Sequence, residues 1–206
     1  MKIVLATNNR GKVTEIKAIL DKHSVEVLSL ADIPGAPPLV VEDAGTFAGN
    51  AALKARAVAA WAGMPALADD SGLVVKALGG QPGVHSSRYA GQDGDSEANM
   101  ALLLERMAHV PESGRMAHFA CVMVLAAPDG RTWEAGGRVD GLITFQKRGL
   151  KGFGYDPVFF YIPADRTFAE MTVEEKNRVS HRFRALEALA KMWEEIERKL
   201  RKSSEQ

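Results

Sequence analysis

A single cysteine, Cys121, in a chain of 206 residues excludes an intrachain disulfide, so the fold is not held by a covalent staple. It sits in the apolar run FACVMVLA, the setting of a buried strand residue, and cysteine use this low fits a reducing compartment. Net charge is missing too, because 26 Lys plus Arg balance 26 Asp plus Glu. That balance excludes an acidic disordered tail and a generally polybasic nucleic-acid binder, while leaving room for a local basic groove that takes a small anion. No apolar run approaches the ~18 residues of a membrane span. After Met1-Lys2 the first such run, Ile3 to Ala6, is too short for a secretory signal core. The expectation is a cytoplasmic protein with neither a membrane nor a nucleic-acid partner. His23, His85, His109 and His118 show neither HxH nor HxxxH spacing. GxSxG, CxxC and HExxH are absent, which removes support for serine-hydrolase, dithiol-redox and zincin chemistry. There is no internal repeat.

What is present reads as alternating strands and helices. Lys2 to Ala6 is a β-branched run suited to a strand buried on both faces. The polar loop Thr7 to Gly11 follows, and then Val13, Ile16, Ile19 and Leu20 recur at helical spacing. A strand feeding a polar loop that opens a helix aims backbone N–H groups at an anion. Val25 to Leu28 predicts a second strand, Pro34 to Pro38 a loop, and Thr46 to Trp61 an Ala-rich helix capped by Thr46 and stopped by Gly63. Two short strands are expected at Pro65 to Ala68 and Leu73 to Leu78, with Asp69-Asp-Ser-Gly72 as the loop between them. Met100, Leu103, Leu104 and Met107 mark one face of the next helix. A strand over Met116 to Ala127 turns at Asp129-Gly130 into another at Thr132 to Ala135. An aromatic strand is expected at Pro157 to Ile162, and a Thr172–Glu175 capping box opens a short helix. One longer helix begins near Ser180, with Leu186, Leu189, Ala190, Trp193, Ile196 and Leu200 as its stripe, and Ser203 to Gln206 read as a frayed end. The pattern implies an α/β fold with a mixed sheet flanked by helices, as one domain or two tightly joined lobes.

Four clusters could carry chemistry. In Ala68-Asp-Asp-Ser-Gly-Leu73, Asp69 and Asp70 either share a hard, oxygen-ligated cation or divide into a turn cap and a solvated side chain. Glu42 and Asp43 precede the helix that carries Asn50 and Lys54 on one face, as further metal oxygens or as acids suited to a helix start. Gly149 to Pro157 interleaves glycines with Phe153 and Tyr155, either to let backbone and an aromatic face meet a planar ligand or as a glycine turn over core aromatics. It is neither a GxGxxG fingerprint nor a P-loop. Glu175 to Arg184 gathers Lys176, Arg178, His181, Arg182 and Arg184 where Ser180 would cap a helix, as an anion site or as a solvated basic face.

Taken in order, ATNNRGK, TFAGNAALKA, ADDSGL, LGGQPGVHSSRYAG, GFGYDPVFF, TFAEM and EEKNRVSHR resemble the inosine/xanthosine triphosphate pyrophosphatase family from Lys2 to about Leu189. The resemblance implies a single domain over 1–206, with a long mixed central sheet and two lobes around a substrate groove. It implies a homodimer, a requirement for Mg2+, and hydrolysis of ITP, dITP and XTP to the monophosphate plus pyrophosphate. By similarity Thr7, Asn8, Asn9, Arg10, Gly11 and Lys12 cradle the phosphates with Lys54. Asp70 is the acid-base residue and a metal ligand, Glu42 shares the metal, and Ser71 contacts the substrate. Phe153, Gly154, Tyr155 and Asp156 hold the base, and Lys176, His181 and Arg182 complete the pocket. Lys176 is expected to join Lys12 and Lys54 on the phosphates. Donors from His181, Arg182 or backbone N–H groups are expected to read the purine 6-carbonyl, a mismatch with adenine costing about 1–3 kcal/mol per buried group. The family usually has Gly two residues after the metal-binding Glu; here that residue is Ala44, followed by Gly45.

Overall fold

The structure, a computed structural model, describes residues 1–21, 23 and 25–203. Of the end expected to fray, residues 204–206 lie outside the described residues. Among the described residues seven strands form one sheet: β1 Lys2–Leu5, β2 Glu26–Leu28, β3 Ala66–Val75, β4 Met116–Ala126, β5 Thr132–Ile143, β6 Phe159–Tyr161 and β7 Arg166–Thr167. Their order is β2-β1-β3-β4-β5-β6-β7. β1 runs parallel to β2 and β3, with Val4 opposite Ala66, whereas β6 runs antiparallel to β5 and β7. The sheet is therefore mixed, and the helices are α1 Arg10–Leu20, α2 Phe47–Ala62, α3 Ser96–Arg106, α4 Val173–Lys176, α5 His181–Ala190 and α6 Trp193–Ser203. Among the described residues no helix is long and apolar enough to cross a membrane.

The chain divides into two compact units, 1–70 with 121–137 and 182–206, and 71–120 with 138–181. In the first unit the sheet is buried on both faces. Successive strand residues point to opposite sides, so Ile3, Leu5 and Leu67 pack with Ile16 and Ile19 of α1 and Leu186 and Leu189 of α5. Val4, Ala6, Ala66 and Ala68 pack instead on Ala51, Ala55, Val58 and Ala59 of α2. Small alanines on both partners let α2 lie close to the sheet. Thr46 caps α2 by accepting from Gly49 N–H at 3.1 Å, and Gly63 ends it in the left-handed conformation at φ 65°. In the second unit Met100 and Leu103 of α3, with Met107 just past its end, join Leu73, Phe119, Val139, Ile143, Phe159 and Phe168 in one core.

Three expected elements differ in the structure. The two short strands around Asp69-Asp-Ser-Gly72 are one strand, β3, and Gly72 does not take a positive φ. β5 continues well past Ala135 to Ile143. Its glycines are not breakers: a Cβ at Gly141 would collide with the Phe160 carbonyl and the Phe159 ring, so glycine is what lets β6 approach. The last long helix is two, because Met192 N–H turns back to Leu189 O at 3.0 Å between α5 and α6. Leu186, Leu189 and Ile196 still face one core, so the apolar stripe continues through the break.

Candidate active site

Asp69 and Asp70 are adjacent on β3, and the pleat sends them to opposite faces of the sheet. This corrects the expectation that they sit in one loop, whether sharing a cation or divided between a turn cap and a solvated side chain. Asp69 lies on the Leu67 side, where α1 and α5 pack. Its side chain is 0% exposed, and its Oδ2 receives Lys12 Nζ at 3.1 Å and both Nε and Nη2 of Arg182 at 3.3 Å. Arg182 gives Nη1 to Glu15, which is also buried. Burial works against ionising Asp69, but Lys12, Arg182 and Lys54 outweigh it and hold the carboxyl well below the usual carboxylate range. Burial likewise opposes the Arg182 charge, yet Asp69 and Glu15 raise its pKa.

Asp70 lies on the α2 side. Asn50 Nδ2 donates to its Oδ2 at 3.1 Å, and Lys54 Nζ stands 3.6 Å from its Oδ1. Asn50 and Lys54 are one helical turn apart, so both reach the same strand position. Lys54 also donates to Glu42 Oε2 at 2.8 Å. Burial pushes the Asp70 carboxyl up, with Lys54 and Asn50 pulling the other way. Lys54 loses charge stability to burial but regains more from Asp70, Glu42 and Asp69, and its pKa is raised.

The polar segment before α1 opens on this unit as well. Thr7 Oγ1 accepts from Asn9 N–H at 3.2 Å, and Asn9 caps α1 by accepting from Lys12 N–H at 3.1 Å. The helix therefore begins at Arg10 inside the expected loop, with Asn8, Asn9 and Arg10 exposed beside its N-terminus. The first unit thus brings together Thr7 to Lys12, Glu42, Lys54 and Asp70 with Asn50 and Asp69 of the same clusters, and adds Glu15.

A second set lies within the second unit. Asp156, buried, accepts on one oxygen from Phe153 N–H at 2.9 Å and from Lys176 Nζ at 2.6 Å. Lys176 stands over the Phe153 ring at 4.7 Å and the Phe168 ring at 5.7 Å. Gly154 has φ 62°, a turn that places Phe153 and Tyr155 without strain. Tyr155 donates to Ser86 O at 2.9 Å, and burial pushes its phenol pKa up. His181 is buried with its ring stacked on Phe119 at 4.7 Å, and Ser71 is half-buried on β3.

Two expected roles meet different surroundings. Arg182, expected among the readers of the purine carbonyl, is 1% exposed and serves as counter-charge to the buried carboxylates of Asp69 and Glu15. Lys176, expected on the phosphates, pairs with Asp156 inside the second unit. Cys121 is buried as expected, its thiol pushed up to about 12 by burial first and then by Asp69, so it is no nucleophile at neutral pH.

Among the described residues no group of three or more His, Cys, Asp or Glu is placed to hold a metal ion. Asp70 and Glu42 nevertheless converge on a single ammonium, that of Lys54. Two carboxylates around one positive charge form the hard oxygen donor set that suits Mg2+, an ion that keeps water and phosphate oxygens in its remaining positions.

Residues 3–192 match the model of the Ham1 family. A dITP/XTP pyrophosphatase of Geobacillus kaustophilus is 50% identical over 195 residues, covering 95% of each chain. One from Thermus thermophilus is 51% identical over 195 residues, 95% of this chain and 93% of its own. Among solved structures, a HAM1 protein from Coxiella burnetii superposes with a TM-score of 0.85 at 38% identity, over 95% of this chain and 99% of that one. A matching family model over almost the whole length, with relatives at half identity and the same fold, places this chain in the Ham1 family.

Proposed function

We propose that this protein is a nucleoside triphosphate pyrophosphatase that takes non-canonical purine nucleotides, dITP, ITP and XTP, and releases the monophosphate and pyrophosphate. The observation that carries the reading is the buried Asp70 carboxylate, held by Asn50 on one oxygen and facing with the other the Lys54 ammonium that also pairs with Glu42. The names of the relatives support the substrate class. The whole chain serves as one catalytic domain. The family resemblance supports a cytoplasmic homodimer.

A nucleoside triphosphate carries close to four negative charges, so its site must supply cations and N–H donors. Lys12, Lys54 and the start of α1 supply both in the first unit. Asp70 orients the attacking water and accepts its proton as the oxygen bonds to phosphorus and the α–β bridging bond breaks. A carboxyl raised by burial is a better base than an exposed one, and Lys54 beside it keeps it ionised. Asp70 and Glu42 would hold Mg2+, which when bound neutralises phosphate charge in the developing pentacoordinate centre. The second unit, taken by itself, has in Phe153 an aromatic face that suits a planar base, and the Asp156–Lys176 pair holds that ring in place. The family resemblance supports substrate contacts from Ser71, Gly154, Tyr155 and His181, with backbone donors that would favour a 6-carbonyl over an amino group. Arg182 serves the phosphate side by fixing Asp69, and Asp69 in turn fixes Lys12.

The test is pyrophosphate release with Mg2+ across dITP, XTP, dATP and dGTP. kcat/KM for dITP and XTP is expected to exceed that for dATP by about 100-fold, the discrimination available when buried donors are left unsatisfied. Equal values for all four, or a preference for the canonical nucleotides, would count against the substrate class.

A further inference from the structure

Asn50 is a poor helix former in the first turns of an Ala-rich helix, and it is 1% exposed. A buried amide without partners is costly, and both ends of this one are used. Its Oδ1 accepts from Ala44 N–H at 3.0 Å, and its Nδ2 donates to Asp70 Oδ2 at 3.1 Å. The amide orientation is settled by its neighbours, since the opposite one would set N–H against N–H and oxygen against a carboxylate. One side chain thus links the loop two residues after Glu42 to the carboxylate on β3. The loop is pinned a second way, because a Cβ at Gly49 would come within 2.5 Å of the Ala44 Cβ and 3.0 Å of Thr46 Oγ1. Ala44 therefore rests on the start of α2 at a point that glycine keeps open.

We infer that Asn50 is the positioning residue of the active site, fixing the Asp70 carboxylate so that Oδ1 faces Lys54, and tying the Glu42 loop to the same point. The inference rests on Asp70 being the acid-base residue. A carboxylate free to rotate presents its oxygens in a range of directions, and misplacing a reacting group by about 1 Å costs on the order of 100-fold in rate. The loss belongs in kcat, because Asn50 meets no part of the phosphate-binding segment before α1 in its hydrogen bonds.

The experiment measures XTP turnover and folded fraction for wild type, Asn50→Ala, Asn50→Asp, Asp70→Asn and Asn50→Ala/Asp70→Asn. Asn50→Asp keeps the shape and the acceptor for Ala44 N–H but sets a carboxylate against Asp70. Both single Asn50 variants are expected to lose about 30-fold in kcat per folded molecule, with KM changed less than about threefold. In the Asp70→Asn background, Asn50→Ala is expected to cost less than about threefold more, because its effect passes through Asp70. Should the alanine variant fail to fold, the isosteric aspartate variant decides. Wild-type kcat in a folded Asn50 variant, a loss confined to KM, or a full additional 30-fold loss without Asp70 would each overturn the inference. Absence of pyrophosphate release from wild type would instead overturn the functional reading, and this inference with it.

Discussion

Asp70→Asn is expected to lower kcat for XTP about 10³-fold while leaving KM within about threefold of wild type, the loss typical of removing a positioned general base. The substitution preserves volume in a buried position and leaves an oxygen for Asn50 Nδ2 to bond. Lys54 keeps Glu42 at 2.8 Å, so the charge left behind still has a partner and the fold has no new buried ion. What disappears is a basic oxygen beside Lys54, and with it both the proton acceptor and half of the hard donor set. Steady-state pyrophosphate release checks this directly. A variant with wild-type turnover would remove Asp70 from the chemistry. A rise in KM with kcat unchanged would make it a binding residue only.

Arg182→Met is expected to cost about 3–5 kcal/mol of stability, the cost of leaving buried carboxylates without their counter-charge. Arg182 bonds Asp69 with two nitrogens and Glu15 with a third, and neither acid can turn to solvent. Lys12 would still face Asp69 at 3.1 Å, but Glu15 would lose the guanidinium that it meets. Adding Glu15→Gln should restore part of the loss, about 1–3 kcal/mol, because one of the two stranded charges is removed. Urea unfolding of the single and double variants measures both. A stability change under about 1 kcal/mol, with the ratio of kcat/KM for XTP over dATP reduced, would return Arg182 to the role of base reader expected from the resemblance.

Local signals carried much of the fold. Thr46 and Gly63 bound α2 as their chemistry dictates, and the Thr172–Glu175 capping box closes with both of its hydrogen bonds. The β-branched start of the chain reads as a strand buried on two faces, and its residues divide between two cores. The face assignment of Asp69 and Asp70 was hidden for a different reason. A polar stretch such as Asp69-Asp-Ser-Gly72 resembles a loop until the cations that make it buriable are known. Arg182 is 113 residues from Asp69, and Asn50 is 20 residues from Asp70. Only the folded sheet sets Lys12 and Arg182 on one side of β3 and Asn50 and Lys54 on the other. Asn50 shows in the sequence as an amide on one helical face with Lys54, but its partner on β3 leaves no trace in local spacing. The ion pair of Lys176 with Asp156 was equally out of view, since both residues separately look like ligands for a substrate.

The claim beneath all of this is that the cations and carboxylates gathered around Asp70 split a purine triphosphate between its α and β phosphorus atoms. Phosphorus NMR of XTP incubated with the protein and Mg2+ tests that claim most directly. Xanthosine monophosphate and pyrophosphate appearing in equal amounts, and appearing on the order of 10³ times more slowly with Asp70→Asn, is the predicted result. Xanthosine diphosphate with orthophosphate, or the same products at the same rate from the Asp70 variant, would contradict it.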